Sequence, residues 1–224
     1  MQHSPRDPPA QTGRSSLLAT ELAVLFVVGP LLYWRFAPAT GWLFPALWAW
    51  SLFCVATLLR SPAFERSRFW NTTGLREALL PMLLRFAVLG GLLTLAVWTV
   101  TPERLFDLPR RKPGLWLAIM VFYPLLSVYP QEVIFRAFFF HRYASLLRNP
   151  ILLVMGSAIV FGWVHIVFGH WVSVVLTLVG GLLFARTFAR SKSVAAASVE
   201  HALYGCLVFT IGLNSYFYSG AAGS

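Results

Sequence analysis

The chain has 224 residues, of which 58% are hydrophobic and only 12% charged, with a mean hydropathy of +0.68 and a net charge of +10. A soluble domain carries roughly 25% charged and 45–50% apolar residues, so a soluble globule is excluded and an all-α, polytopic transmembrane helix bundle of seven or eight helices is implied. The apolar runs are too long and continuous for a transmembrane barrel. The scattered basic residues form no groove-sized patch for nucleic acid and match instead the Lys/Arg excess of cytoplasmic loops.

Residues 1–15, rich in Pro, Gln, Ser and Arg, read as a disordered tail. Leu17 to Arg35 is the first membrane helix, with Glu21 near one end and Pro30 inside; further spans follow it, so it is expected to stay in place and not to be cleaved as a signal peptide. Gly41 to Leu59 is the second, with Trp42, Trp48 and Trp50 suited to the interface. Arg60 to Arg76 reads as a surface loop or an interfacial helix. Glu77 to Val100 is the third span, and Arg85 within it is expected to pair or to snorkel. Thr101 to Pro113 is a charged loop whose Arg110-Arg111-Lys112 run suits anionic headgroups. Leu115 to Tyr129 is the fourth span, ended by Pro130.

Gln131 to Arg148 is only moderately apolar and reads as a short or tilted helix shielded by protein. Ile151 to Phe168, Trp171 to Phe188 and Val194 to Tyr218 complete the set. Residues 16–113 thus hold the N-terminal transmembrane helices and interfacial segment, and residues 114–218 a second helical unit. Gly156, Ser157 and Ala158, Gly180 and Gly181, and Ala195 to Ala197 are small enough to let helices approach closely. With alternating helices, the segments from Arg104 to Lys112, Arg142 to Arg148 and Arg186 to Lys192 share one side. They form the larger basic group and are expected to be cytoplasmic, opposite Arg6, Arg14 and the Arg60–Arg76 cluster. Cys54 and Cys206 fall in apolar runs and read as buried free thiols.

The informative residues are polar ones in apolar surroundings. An ionisable group near the bilayer centre costs at least ~2.5–3.5 kcal/mol, so such groups face the bundle interior, pair, and carry function. Glu132 and Arg136 are four apart and share a helix face; a purely structural clasp and a functional pair both remain open. His165 follows Phe161 by four residues, and His201 lies in the last helix. Three costly groups on separate segments argue for convergence in one water-holding cavity, in the half of the bilayer where Glu132 begins its helix. A carboxylate and two imidazoles are sufficient in type for hydrolysis: one activates water, the others orient it, protonate a leaving amine or stabilise an oxyanion. Two His and one Glu plus water also satisfy a catalytic zinc site, although no His-Glu-x-x-His string occurs. His141 is expected at a helix end and His170 in a turn. Glu200 points about 100° from His201, as its partner or as an interior acid. Phe138 to Phe140 serve packing and lipid contact or line a greasy groove.

Taken in order, these residues resemble the CAAX protease and bacteriocin-processing (CPBP, or ABI) family. Its pattern on membrane helices is Glu-Glu-x-x-x-Arg, then Phe-x-x-x-His, then His-x-x-x-Asn. Glu132 and Arg136, Phe161 and His165, and His201 match it, and the resemblance covers roughly Leu115 to Leu213. It implies an all-helical intramembrane endopeptidase without a cofactor, in which a glutamate activates water and an Asn and a His stabilise the oxyanion. On that reading residues 114–218 form the catalytic core. Glu132, His165 and His201 are catalytic, supported by Gln131, Arg136, Phe161 and Tyr204. Two positions depart from the pattern. Gln131 replaces the first Glu, commonly taken as the base, and Gly205 replaces the Asn. Either Glu132 takes the base role, with Arg136 or a histidine adjusting it, or proteolysis is lost. Tyr204 and Asn214 are candidate substitute donors.

The implied partners are the bilayer and a membrane-associated protein or peptide substrate, with no nucleic acid, in a multi-pass protein expected in a bacterial inner membrane. The alternatives are an inactive relative acting as a membrane binding or immunity-type protein, and a small transporter or channel accessory whose buried Glu and His relay protons.

Overall fold

A computed structural model describes residues 9–36 and 40–217, and no strand occurs among them. The helices are α1 (Ser15–Phe36, its first turns reaching back to Pro9), α2 (Leu43–Arg60), α3 (Thr72–Val100), a short α4 (Asp107–Arg111), α5 (Pro113–Arg142), α6 (Pro150–Val164), α7 (Trp171–Ser191) and α8 (Val194–Thr210). All but α4 and α8 are long and apolar enough to cross a membrane, and α8 is a shorter apolar helix of the same bundle. The chain is an integral, multi-pass membrane protein.

Several boundaries differ from the sequence reading. Residues 9–15, expected in a tail, are helical, and residues 1–8 of that tail lie outside the described residues. The Arg60–Arg76 segment contains a single 3₁₀ turn at Arg66–Phe69, and α3 begins at Thr72 rather than Glu77. Asn71 sets that start: its side chain accepts from the Gly74 amide (3.1 Å) while its Nδ2 donates to the Ser191 carbonyl (3.0 Å), capping α3 and holding the end of α7 together. The last helix stops at Thr210, not Tyr218, and Gly212 then adopts φ 92° against the Arg104 carbonyl, a conformation that favours glycine.

The largest correction concerns Pro130, which does not end a helix. The fourth and fifth expected segments are one continuous helix, α5. It absorbs the proline through π turns at Pro124–Val128 and Val133–Phe138; across the first, the Tyr129 amide reaches back to the Pro124 carbonyl. Widening the ladder there accommodates a residue that brings no N–H.

Joining these segments moves the later loops. Arg142 pairs with Glu21 near the start of α1 (2.8 Å), His141 meets Ser61 after α2 (2.9 Å), and Asn71 meets Ser191. Arg104 instead meets Tyr216 (3.0 Å), at the end where α8 terminates. The Arg142–Arg148 and Arg186–Lys192 segments therefore lie with the Arg60–Arg76 segment, and not with Arg104–Lys112 as expected.

The core is aromatic. Phe26 of α1 meets the edges of Phe135 (5.6 Å) and Phe139 (5.6 Å), and Phe140 packs on Phe188 (5.1 Å), so Phe138 to Phe140 are buried rather than lipid-facing. α6 and α7 form the most extensive helix contact. Small residues permit it, since a Cβ at Gly162 would stand 3.0 Å from the Leu178 backbone and one at Gly181 3.2 Å from the Ala158 carbonyl. The outer surface is Leu, Val and Trp, as lipid requires.

The Gly74 position tests this packing. A Cβ there would lie 2.1 Å from the Ser191 carbonyl, whereas one at Gly91 meets nothing within 4 Å. Gly74→Ala is expected to cost about 1–3 kcal/mol through a forced backbone shift, and Gly91→Ala to be neutral or slightly stabilising. Unfolding midpoints in detergent measure both; equal midpoints would contradict the contact.

Candidate functional site

Glu132, two thirds of the way along α5 and not at a helix start as expected, is fully buried. Its Oε1 accepts from His201 Nδ1 on α8 at 2.9 Å. Its Oε2 lies 3.1 Å from Arg136 Nε, an ion contact without hydrogen-bond geometry. Arg136, equally buried, donates to Ser157 Oγ on α6 (2.6 Å) and holds its guanidinium 4.9 Å from the centre of the Phe161 ring. Both carboxylate oxygens are thus engaged within protein, and Glu132 is not among the residues lining the large cavity beside it.

His201 is fixed from several sides. Phe184 of α7 stacks on it at 4.6 Å, Phe161 meets it edge-on at 5.4 Å, and Tyr123 of α5 places its hydroxyl 3.3 Å from Nε2. His165 opens the 3₁₀ turn His165–Phe168 at the end of α6. Its Nδ1 donates to the Phe161 carbonyl (2.7 Å), and its ring packs 4.8 Å from Phe161. One phenyl ring therefore touches both imidazoles.

Gln131, His165, His201, Tyr123 and Tyr204 all line one open cavity of about 2200 Å³. The cavity is bounded by α1, α2, α3, α5, α6, α7 and α8 and reaches the segment from Arg104 to Lys112. Gln131 donates to Ser127 Oγ (2.9 Å), another lining residue. Tyr204 packs edge-on against Phe86 (5.2 Å) with its hydroxyl unpartnered, and Asn214 stands at the mouth near Ser215.

Residues 113–207 match the family model of type II CAAX prenyl endopeptidase Rce1-like proteins. The match is consistent with the CPBP resemblance carried by the motifs, and at family level it is a match to proteases. No curated protein and no solved structure matches the chain.

The matched region brings together Glu132, Arg136, Phe161, His165 and His201, and places Gln131 and Tyr204 on the same cavity. It also assembles a residue the sequence reading passed over. A Cβ at Gly205 would stand 2.4 Å from the Tyr123 hydroxyl and 2.4 Å from its ring. Tyr123 thus fills the space beside His201 that a side chain at Gly205 would occupy. The π turn makes this possible. Nine residues of ideal α-helix at about 100° each put two side chains on opposite faces, and one extra residue in a π turn rotates them back by about 100°.

Zinc fits poorly. Among the described residues no group of three or more His, Cys, Asp or Glu side chains is placed to hold a metal ion. The carboxylate that would serve is committed to Arg136 and to His201 Nδ1.

Outside the cavity, Glu200 is fully buried and pairs with Arg85 of α3 (2.8 Å), which also donates to Thr187 (3.0 Å). Glu200 is therefore an interior acid held by Arg85, not a partner of His201. Removing one member of a buried pair strands the other charge. Arg85→Leu is expected to destabilise on the order of 3 kcal/mol, the low end because Arg85 keeps 31% of its side chain exposed. Arg85→Leu with Glu200→Leu should recover most of that loss. A double variant no more stable than the single one would show that the pair is not the cause.

Proposed function

We propose that this chain is an intramembrane endopeptidase cutting a membrane-associated protein or peptide, with His201 as its base and Glu132 as the group that orients His201. The expected setting is a bacterial inner membrane. The observation that carries the reading is the Glu132–His201 bond of 2.9 Å, with the far imidazole nitrogen next to the cavity and Tyr123. An ionised carboxylate only accepts hydrogen bonds. His201 Nδ1 therefore bears the proton, Nε2 bears a lone pair, and the Tyr123 hydroxyl donates to it. The carboxylate–imidazole arrangement is that of a general base held in one tautomer.

His165 is similar, because its Nδ1 donates to a carbonyl and leaves Nε2 as an acceptor. Two lone pairs on one cavity suit the two protons of one water. The water oxygen bonds to the scissile carbonyl carbon, and its proton passes to His201 Nε2. Protonated Nε2 no longer accepts from Tyr123, whose hydroxyl turns to the developing oxyanion. The C–N bond then breaks, Nε2 returns its proton to the leaving amine, and the products are a carboxylic acid and an amine. Tyr123 thereby does the work assigned to the missing Asn, and Gln131 serves as an amide for the substrate backbone.

A second reading, an inactive relative with a binding or immunity-type role, is favoured by Gln131. The only acid among the cavity-lining residues is Asp107, at the mouth and paired with Arg111 at 2.5 Å.

The two readings separate in proteoliposomes with quenched-fluorescent peptides carrying a lipid or a transmembrane anchor. His201→Ala and Glu132→Ala are expected to abolish cleavage at unchanged protein level. Tyr123→Phe should lower kcat about 10²–10³-fold with KM unchanged, the usual loss for one oxyanion donor. Cleavage surviving His201→Ala refutes the base assignment. A silent wild type that gains activity on Gln131→Glu supports the inactive relative.

A further inference from the structure

The cavity and the basic surface lie at opposite ends of the bundle. One end carries Arg60, Arg66, Arg68 and Arg76 around the α2–α3 connection. It also carries Arg142 at the end of α5, Arg148 between α5 and α6, and Arg186, Arg190 and Lys192 at the α7–α8 junction. The contacts Arg142–Glu21, His141–Ser61 and Asn71–Ser191 hold these loops together. The other end carries Arg35 and, in the α4 segment, Arg104, Arg110, Arg111 and Lys112, five basic residues against nine at the first end. Lys and Arg accumulate in the cytoplasmic loops of membrane proteins, counted over short connections. Every described connection at the first end is basic, whereas at the second end the His165–His170 turn carries no Lys or Arg. The first end is therefore cytoplasmic.

The cavity opens at the second end and reaches past the middle of the bundle to Phe135, Phe184 and His201. Its lining comes from α1, the first half of α2, the later half of α3, α5, the C-terminal turns of α6, α7 and α8, and its mouth holds Arg104, Lys112, Asn214 and Ser215. None of its lining residues comes from the α2–α3, α5–α6 or α7–α8 connections.

We infer that the cavity opens on the non-cytoplasmic face and that the substrate is an exported, membrane-anchored polypeptide taken at its outer flank; this rests on the endopeptidase reading above. Charge complementarity narrows the substrate. The mouth is net basic, with Arg104, Arg111 and Lys112 against Asp107. An exported anchor that obeys the same charge bias keeps its Lys and Arg on the cytoplasmic flank. Its outer flank is neutral or acidic, and that flank fits a basic mouth, while the cytoplasmic flank is repelled.

Two measurements on the full chain in intact bacterial cells test this. Glu103→Cys and Ser215→Cys probe one face, and Ser67→Cys and Ser145→Cys the other; all four positions are exposed. The native Cys54 and Cys206 lie within apolar helices. A membrane-impermeant maleimide is expected to label the first two at least about ten-fold more than the second two before permeabilisation, and all four alike afterwards. The reverse pattern overturns the orientation whether or not the chain cuts anything.

In the second measurement, a single-span reporter carries one acidic flank, either exported or held in the cytoplasm. Cleavage is expected only of the exported flank, and not with His201→Ala. Expected labelling with cleavage of the cytoplasmic flank overturns the substrate assignment. Expected labelling with no cleavage of either reporter overturns it through the endopeptidase reading, leaving the orientation standing.

Discussion

One carboxylate holds the site together. Glu132 is fully buried, so its charge rests on Arg136 within its own helix and on the imidazole of His201 across the bundle. Arg136 lies in turn against Ser157 and the face of Phe161, and Phe161 presses on both histidines. α5, α6 and α8 are thus joined through a single acid. In a medium with no solvent to substitute, each partner is indispensable to the other, because an orphaned buried charge costs several kcal/mol. The same clasp that answers the cost of burial also selects the tautomer of His201. The structural and chemical readings of Glu132 and Arg136 are therefore compatible: the ion pair is a support for the imidazole that faces the cavity.

What could be read in the sequence follows the energetic cost of each residue. Glu132, Arg136, His165 and His201 stand out because each is expensive in lipid, and an expensive residue needs a reason. Arg85 and Glu200 were visible as candidates for pairing, but their partnership spans α3 and α8 and no local spacing announces it. Tyr123 was not visible at all. A tyrosine in an apolar run is cheap, and only the folded approach to Gly205 and His201 gives its hydroxyl a purpose. Helix type was legible from apolar run length; Pro130 was misread because π turns, which leave no composition signal, let the helix continue through it.

That misreading had an outsized effect on topology. Splitting α5 at Pro130 adds one crossing, and one crossing exchanges the sides of every loop downstream. Arg142 and Arg186 then seem to accompany Arg104, when contacts tie the first to Glu21 and place the second at the Asn71–Ser191 end. Local errors in a soluble helix are local; in a bundle with alternating connections they propagate to charge balance and to the assignment of faces.

The first π turn of α5 has a consequence for comparing this chain with its relatives. A π turn is what one inserted residue leaves behind when a helix accommodates it without breaking. Between Tyr123 and Glu132 the spacing is therefore a ruler with one notch too many for ideal helix geometry. In a homologue lacking that notch, the aromatic aligned with Tyr123 by a gap-free match would face elsewhere, and the side chain at the position of Gly205 would have room to grow. The length of that segment and the size of that residue should thus vary together across the lineage.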